Sequence, residues 1–291
     1  MDLKASMTFE EARQWASFFL DQHNFHEDTA LNYILWLMDW SLTDFVNHRN
    51  QMIEQTNADY LFDAFQRIIK FEPIQYIVGY TEFLGNRYKV TPSTLIPREE
   101  TSGIIDIVSR FHHSNQSLRI IDIGTGTGIL AITLKLHRPQ SEVFAIDISK
   151  EALEVAQQNA INLNAELQFF QSDVFDHVDP ELSFDIIVSN PPYISQDEVD
   201  YMDQSVLLYE PRGALFSNNM GLEIIEKILV QSQQYLAYNG LLVIEFGFKQ
   251  ADKVREKALF YFPHSDIEII KDYNGINRFV CIRNKEFMNE D

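Results

Sequence analysis

The sequence has one cysteine, few basic residues and no long apolar run. Cys281 is the single cysteine among 291 residues, so the chain forms no internal disulfide, and we expect a reducing compartment, the cytoplasm. No run approaches about 18 apolar residues, and no transmembrane helix is expected. The opening stretch, MDLKASMTFEEARQW, contains acids and no apolar segment, which is not the pattern of a signal peptide.

The charge balance and the missing motifs exclude further classes of function. Acidic residues outnumber basic ones 43 to 23, for a formal net charge of −20. Such a surface repels a phosphate backbone, so we expect no direct nucleic-acid partner and no membrane partner, although a local basic groove stays possible. Neither HExxH nor G-x-S-x-G occurs, and His23 and His26 have no second ligand pair, so no metal site is predicted.

Three patterns divide the chain into predicted domains. Residues 1–73 have helical periodicity, 74–97 alternate in polarity around Gly85-Asn86, and 98–291 repeat a strand, turn and helix. We therefore predict a small helical domain, a β-hairpin linker and an α/β domain. With 45% hydrophobic residues, including 22 phenylalanines, the chain has enough apolar side chain for packed cores.

The predicted helical domain opens with a capping-box pair. Thr8 and Glu11 have the spacing of that motif and precede an apolar-periodic stretch that ends near Leu20. Pro73 stops the last helix, because proline cannot continue one. Apolar spacing predicts the other helices over residues 28–40, 42–55 and 58–70.

The remainder predicts a seven-stranded sheet. Short apolar strands that alternate with helices indicate a mostly parallel sheet with helices on both faces, and so an α/β fold. The last two strands are joined by a short turn, YNGIN, so the last strand should run antiparallel. The strands are LRIIDI, SEVFAID, LQFFQ, FDIIVSN, LLVIEF, IEIIKD and RFVCIR, and the helices cover 127–136, 150–162, 221–236 (closed by Gly240) and 250–260.

A glycine-rich turn follows the first of these strands. Alternate glycines let the backbone approach a ligand and direct free N–H groups at it. The dinucleotide fingerprint requires glycine where this chain has Ile129, which argues against NAD and for a nucleoside without a pyrophosphate. A tight turn with no ligand is the alternative. The turn consists of Asp122, Ile123, Gly124, Thr125, Gly126, Thr127 and Gly128.

An acidic residue ends the second strand of the same domain. Asp147 lies 19 residues after Gly128, at the strand tip where a carboxylate accepts ribose hydroxyls. The alternative role is that of N-cap for the following helix, and both roles could coexist.

A third motif, Ser189-Asn190-Pro191-Pro192-Tyr193-Ile194, comes directly after the strand segment FDIIV. The prolines fix the backbone, and the carbonyls and the Asn190 side-chain oxygen are available as acceptors. Together with the aromatic face of Tyr193, they suit a planar –NH2 group, whose nitrogen they could aim at an electrophile. An ordinary X-Pro-Pro loop is the alternative.

These three motifs together resemble a class I S-adenosylmethionine-dependent N-methyltransferase. More narrowly, the chain resembles the release factor glutamine methyltransferase family over about residues 71–280. The helical domain fits that family only in architecture, and NPPY alone also occurs in DNA and RNA N-methyltransferases. The segments that carry the narrower resemblance are FEPIQYIVGYTEFLGNRYKV, TLIPREET, NPPYI, YEPRGAL and DYNGINRFV.

The resemblance implies a placement for the cofactor. S-adenosylmethionine would lie along residues 124–128, with the Asp147 carboxylate on the ribose and Asp122 near the methionine end. Asp173 and Val174 would flank the adenine, and Asn190 would touch the methyl donor.

The resemblance also implies the substrate. Residues 190–193 would hold the side-chain amide of the GGQ glutamine of a peptide chain release factor, and the product would be N5-methylglutamine. Phe83 would form a wall of the glutamine pocket, with packing inside the hairpin as the alternative. Arg98 and Arg212 each follow a proline in a motif segment; they would pair with carboxylates near the site or contact the release factor, with a structural ion pair as the alternative.

The chain departs from the family pattern at several positions, and two rival functions stay open. The departing residues are Glu99, Ser102, Val174, Asn218 and Met220. They bear on how rigid the linker is and on how the adenine packs. An RNA or DNA exocyclic-amine N-methyltransferase is the nearest rival, since NPPY serves such amines equally well. A non-catalytic nucleoside-binding protein is the second. The helical domain and the hairpin are hypothesised to bind the release factor, because NPPY recognises only an amide and cannot select one glutamine among many.

Overall fold

The structure is a computed structural model that describes residues 6–26, 29–113 and 115–285. It forms two compact units. One comprises the described residues up to Tyr80 together with Asp203–Tyr209, and the other comprises Thr81–Met202 and the described residues from Glu210 onward. Within these ranges no helix is both long and apolar enough to cross a membrane.

The first unit is helical. Its first helix begins with the predicted capping box: the Thr8 hydroxyl accepts from the Glu11 N–H at 3.2 Å, and the Glu11 carboxylate accepts from the Thr8 N–H at 2.7 Å. The predicted 28–40 helix is α2, although Asp28 itself lies outside the described residues. The helices are α1 (Phe9–Asp21), α2 (Thr29–Met38), α3 (Leu42–His48), α4 (Gln55–Ile68), α5 (Ile74–Val78) and α9 (Gln204–Tyr209).

An aromatic cluster occupies the centre of this unit. The Trp15 ring stacks on Phe19 with centroids 5.0 Å apart and meets Phe65 edge-on at 5.8 Å. The late segment that contains α9 joins the unit, and the Tyr209 hydroxyl donates to the Lys70 carbonyl at 3.1 Å. Sequence reasoning had placed this segment inside the α/β domain, because its partner lies 139 positions away.

The segment predicted as a hairpin is a hairpin only in part. Strands β1 (Tyr80–Phe83) and β2 (Asn86–Lys89) pair as predicted, but the residues before them form helix α5. The Pro73 carbonyl accepts the first N–H groups of α5, and Gly79 ends the helix at φ 83°. The turn also lies one residue earlier than predicted, because the left-handed residues are Leu84 (φ 46°) and Gly85 (φ 80°).

The second unit contains the predicted seven-stranded sheet, in the order β5-β4-β3-β6-β7-β9-β8. Neighbouring strands are parallel from β5 to β7, and β9 is antiparallel to both β7 and β8. The predicted α/β class and the antiparallel last strand are therefore confirmed. The strands are β3 (Arg119–Ile123), β4 (Glu142–Asp147), β5 (Gln168–Gln171), β6 (Phe184–Ser189), β7 (Leu236–Glu245), β8 (Asp266–Lys271) and β9 (Asn277–Arg283).

Helices cover both faces of this sheet. Alternate strand residues point to opposite faces, so Ile120 packs with α6, α7 and α8 while Ile121 packs with α12 and α13. Two short 3-10 turns, Glu99–Thr101 and Gln196–Tyr201, complete the unit. The helices are α6 (Ser102–Phe111), α7 (Ile129–His137), α8 (Lys150–Asn162), α10 (Arg212–Leu215), α11 (Asn218–Gly221), α12 (Glu223–Tyr235) and α13 (Ala251–Tyr261).

Two details of this core differ from, or add to, the predictions. The predicted closure of the long helix at Gly240 is wrong: α12 ends at Tyr235, and Gly240 lies within β7 after Asn239, which has a left-handed φ of 59°. Cys281 on β9 is 2% exposed, and burial raises the pKa of its thiol to about 12.

A glycine on α6 allows that helix to lie close to β9. A Cβ added to Gly103 would come within 2.6 Å of the Phe279 ring, which is 1% exposed and has no room to move away. We expect Gly103→Ala to lower the free energy of unfolding by about 1–3 kcal/mol, as overpacking does. Urea unfolding measures this.

The matched control is Gly213→Ala, where a Cβ meets nothing within 4 Å. It should change the free energy of unfolding by less than about 0.5 kcal/mol. Equal destabilisation by the two substitutions would contradict the packing argument.

Candidate active site

A cavity of about 450 Å³ opens at the carboxyl ends of β3, β4 and β6. Parallel α/β sheets place their ligands at this edge. The cavity brings together residues from all three motifs singled out in the sequence. The motif residues that line it are Asp122, Ile123, Gly124, Thr125, Gly126, Thr127, Asp147, Asn190, Pro191 and Pro192, and Val174 lines it as well.

The glycine turn forms one wall of the cavity. Gly124 (φ 70°) and Gly126 (φ 56°) are left-handed, and a Cβ added at either would meet nothing within 4 Å. Gly128 (φ 83°) differs, since its Cβ would lie 2.9 Å from the Ile132 side chain and 3.1 Å from that of Ala156. The first two glycines therefore leave space at the cavity, and the third lets α7 and α8 approach each other.

A buried asparagine connects this turn to the hairpin. Asn159 of α8 accepts from the Lys89 N–H at 2.7 Å and donates to the Lys89 carbonyl at 3.0 Å. Its amide also donates to the Thr127 carbonyl at 2.9 Å. The Tyr88 and Thr133 hydroxyls, 2.9 Å apart, add a second contact between hairpin and sheet domain. The hairpin thus holds the glycine turn in place, which sequence reasoning missed.

Asp147 at the end of β4 accepts two backbone N–H groups. One carboxylate oxygen accepts from Gly126 at 2.9 Å and the other from Ser149 at 2.9 Å. The N-cap of α8 is Ser149, whose hydroxyl accepts from Ala152 at 3.1 Å, so Asp147 does not have the capping role considered as its alternative. Burial raises the pKa of Asp147 above its ordinary value.

Asp122 lies under the glycine turn and is 1% exposed. Its Oδ2 accepts from the Thr125 hydroxyl at 2.6 Å and from the Ala131 N–H at 3.3 Å. Its Oδ1 has no hydrogen-bond partner within the described ranges. Burial raises the pKa of this carboxyl to about 7. A buried carboxyl oxygen at the cavity wall thus has no donor among the described residues.

The wall expected to face the adenine contains a strained residue. Val174 is 5% exposed and has φ 54°, a left-handed conformation that β-branched residues rarely adopt. Its neighbour Asp173 pairs with Lys227 at 2.9 Å. The family departure at Val174 therefore lies directly on the cavity surface.

The Asn190 motif is held by residues from distant parts of the chain. The Ser189 hydroxyl donates to the Ile123 carbonyl at 2.7 Å and ties the end of β6 to β3. The Asn190 side-chain N–H donates to the Thr101 hydroxyl at 3.0 Å, and that hydroxyl donates to Glu245 at 2.9 Å. The Tyr193 hydroxyl donates to the other oxygen of Glu245 at 3.1 Å.

Glu245 and Thr101 were not singled out from the sequence. Glu245 is 1% exposed at the end of β7, and burial raises its pKa to about 7. An acid at the end of the apolar strand LLVIE is the one signal that could have drawn attention to it. Tyr193 sits behind the cavity wall, bonded through its hydroxyl to Glu245 and through its carbonyl to the Gln250 amide at 2.8 Å.

Two segments of the family resemblance meet at Glu210. Its carboxylate, 1% exposed, accepts from the Ile96 N–H at 3.1 Å and from the Arg98 guanidinium at 2.5 Å. Arg98 therefore pairs with a carboxylate, as considered. Arg212 instead lies over the Phe216 ring, 4.6 Å from its centroid.

Phe83 packs edge-on against Tyr88, with ring centroids 6.3 Å apart, inside the core. Packing inside the hairpin was the alternative to its predicted place in the glutamine pocket.

The fold and this cavity define a class I methyltransferase. The methyltransferase small domain family matches residues 103–219, and the PrmC N-terminal domain family matches residues 11–79. A solved methyltransferase from Pyrococcus furiosus shares the fold, with a TM-score of 0.53 and 18% identity over 76% of this chain and 98% of that one.

Relatives at higher identity define the family. A release factor glutamine methyltransferase from Enterococcus faecalis is 38% identical over 92% of this chain and 96% of its own length. One from Lactococcus lactis is 41% identical over 89% of this chain and 91% of its own. The chain belongs to the release factor glutamine methyltransferase family, so the predicted family and enzyme class are confirmed.

The buried Asp122 makes stability depend on pH. Folding raises its pKa from the ordinary carboxyl range to about 7, so between those values the folded chain binds a proton that the unfolded chain lacks. Its contribution to stability therefore falls as the pH rises through that window. Asparagine cannot ionise, so Asp122→Asn should raise the melting temperature more at pH 8 than at pH 5.

Calorimetry at both pH values measures this effect. Asp200→Asn, at an exposed position, is the control and should shift the melting temperature equally little at both. An Asp122→Asn shift that does not change with pH would show that the carboxyl stays ionised throughout.

Proposed function

We propose that this chain transfers a methyl group from S-adenosylmethionine to the side-chain amide nitrogen of the GGQ glutamine in a peptide chain release factor. The products are N5-methylglutamine and S-adenosylhomocysteine. The observation that carries the proposal is that Asn190-Pro191-Pro192 line the same cavity as the glycine turn and Asp147. The name shared by the Enterococcus and Lactococcus relatives supports the release factor as substrate.

The residues of the cavity fit S-adenosylmethionine. Gly124 and Gly126 leave open space where side chains would stand, and the unpartnered Asp122 oxygen suits an ammonium group. Asp147 keeps lone pairs for ribose hydroxyls beside the two N–H groups it accepts, since a carboxylate has about four acceptor positions. When bound, the cofactor supplies a methyl carbon on a sulfonium sulfur, and transfer to the amide nitrogen breaks the carbon–sulfur bond and releases one N–H proton.

Asn190 and the two prolines hold and aim the substrate amide. An amide nitrogen is a poor nucleophile because its lone pair is delocalised into the carbonyl. Its two N–H bonds donate to the Asn190 side-chain oxygen and to a backbone carbonyl of residue 190 or 191, and the prolines hold those carbonyls rigidly. This fixes the nitrogen at the methyl donor and lets it pyramidalise, so catalysis is by orientation and electrostatic stabilisation.

The helical unit supplies the choice of substrate. The amide site recognises a group that every glutamine carries, so selection among glutamines requires a second contact with the release factor. We assign that contact to residues 1–73 and the hairpin, and the reaction to the cytoplasm, where translation factors act. No observation favours the RNA or DNA amine alternative, and the net charge of −20 argues against it.

The decisive assay is incubation of the purified chain with S-adenosylmethionine and an unmethylated release factor, followed by peptide mass spectrometry. One methyl group on the GGQ glutamine is expected. Asn190→Ala should lower kcat about 100-fold or more, because it removes the side-chain acceptor that holds the amide. Titration calorimetry is the control and should show S-adenosylmethionine affinity within about threefold of the unmodified chain. A near-normal rate in this variant would refute the amide-holding role.

Removing residues 1–73 tests the role assigned to the helical unit. The shortened chain should bind S-adenosylmethionine but no longer methylate the intact release factor. A short peptide that contains GGQ is the matched substrate, and the full and shortened chains should methylate it equally slowly. Full activity of the shortened chain on the intact release factor would assign recognition to the sheet domain instead.

A further inference from the structure

We propose that Thr101 and Glu245 are positioning residues that fix which end of the Asn190 side-chain amide faces the substrate. This inference rests on the proposed function, in which the Asn190 oxygen accepts from the glutamine amide. Thr101 lies at the cavity wall, whereas Glu245 is not among the residues that line it; in this scheme neither accepts a hydrogen bond from the substrate amide. They act through a chain of hydrogen bonds that runs from Glu245 through Thr101 to Asn190.

The direction of the hydrogen bonds follows from the donors available. A threonine hydroxyl has one hydrogen to donate and can accept from others. Because an ionised carboxylate can only accept, the Thr101 hydroxyl donates to Glu245 at 2.9 Å, and towards Asn190 its oxygen can only accept. The Asn190 –NH2 must then face Thr101, as it does at 3.0 Å. Its Oδ1, which has no donor among the described residues, is left as the acceptor at the cavity.

The ionised form of Glu245 is essential to this arrangement. Both of its oxygens accept, one from Thr101 and the other from the Tyr193 hydroxyl at 3.1 Å. A proton on the oxygen that faces Thr101 would donate to Thr101 and turn its hydrogen towards Asn190. The Asn190 amide would then rotate to present its oxygen to Thr101 and its –NH2 to the substrate. The Asn190 –NH2 group would then face the –NH2 group of the substrate amide. The substrate amide would lose the Asn190 oxygen as a hydrogen-bond acceptor.

The packing around the chain of bonds leaves it little freedom. Thr101 and Glu245 are each 1% exposed, so water cannot replace either partner. Glu245 pairs in register with Phe279 on β9, and the Phe279 ring meets Gly103, two residues after Thr101. The same close contact therefore fixes the distance between α6, which follows Thr101, and the strand that carries Glu245.

The charged groups around Glu245 come from three other elements. Arg278 on β9 lowers its pKa and Glu100 in the 3-10 turn raises it, while the Tyr193 hydroxyl donates to it from the segment after β6. Burial is the largest cause and raises the pKa to about 7. The Asn190 orientation should accordingly depend on pH near neutrality, with the competent orientation above that pKa.

A matched pair of substitutions at Thr101 tests the proposal. Thr101→Val keeps the shape but removes the hydroxyl, whereas Thr101→Ser keeps the hydroxyl. We expect Thr101→Val to lower kcat about 10- to 100-fold, because the amide is no longer oriented. Thr101→Ser should stay within about threefold of the unmodified chain, and S-adenosylmethionine affinity should be unchanged in both.

The pH dependence supplies a second readout. At saturating S-adenosylmethionine, kcat of the unmodified chain should rise with pH through an inflection near 7. Glu245→Gln has no proton to lose and should abolish that inflection. In nitrogen-15 NMR, the Asn190 side-chain amide should titrate with the same inflection in the unmodified chain and not in Glu245→Gln. This measurement needs no catalysis and stands if Thr101→Val fails to fold.

The outcomes separate this inference from the function on which it rests. No methyl transfer by the unmodified chain would overturn the proposed function and the inference with it. Transfer by the unmodified chain with equal kcat in Thr101→Val and Thr101→Ser would overturn the inference alone. An inflection that survives in Glu245→Gln would also overturn it, because the titrating group would then be another one, such as Asp122.

Discussion

Two carboxyl groups are buried at one edge of the sheet, and most of the candidate site is arranged to satisfy them. Asp122 lies near the end of β3 and Glu245 at the end of β7, and β6 runs between these strands towards Asn190. A buried carboxylate is costly unless donors reach it, so each acid requires hydrogen-bond donors from outside its own strand. Asp122 takes them from the glycine turn and α7, and Glu245 takes them from Thr101 and the Tyr193 hydroxyl. Meeting this requirement holds the glycine turn at the end of β3 and the Asn190 motif at the end of β6.

The parts of the site that lie close together in the sequence could be predicted. The glycine turn, Asp147 and Asn190 each directly follow a buried strand, and parallel strands bring their carboxyl ends to one edge. The hydrogen-bond chain behind Asn190 could not be predicted in this way. Asn190 and Thr101 are 89 positions apart, and Thr101 and Glu245 are 144 apart, so no local pattern connects them. The same holds for Asn159, whose two backbone partners lie 32 and 70 positions away.

The fold shows the same division between local and distant causes. Periodicity predicted the seven strands and the long helices, because burial of one face imposes it residue by residue. The alternation of polar and apolar residues wrongly predicted part of a β-hairpin over residues 74–78. These residues form a helix that begins after Pro73 and ends at Gly79. The segment around Met220 was also beyond prediction. Asn219 and Met220 are left-handed, and a Cβ on Gly221 would lie 1.9 Å from the Tyr193 carbonyl. The departures at Asn218 and Met220 thus fall in α11, a short segment that these left-handed residues interrupt and that contacts the NPPY segment through Gly221.

The burial of Cys281 makes the chain well suited to chemical labelling. A thiol must be exposed and ionised to react with maleimides or iodoacetamides. The Cys281 thiol meets neither condition, because it is 2% exposed and burial raises its pKa to about 12. Because the sequence contains no other cysteine, one introduced at an exposed position would be the single reactive thiol of the folded protein. Fluorophores or spin labels could then be attached to the hairpin or the helical unit without altering the native core.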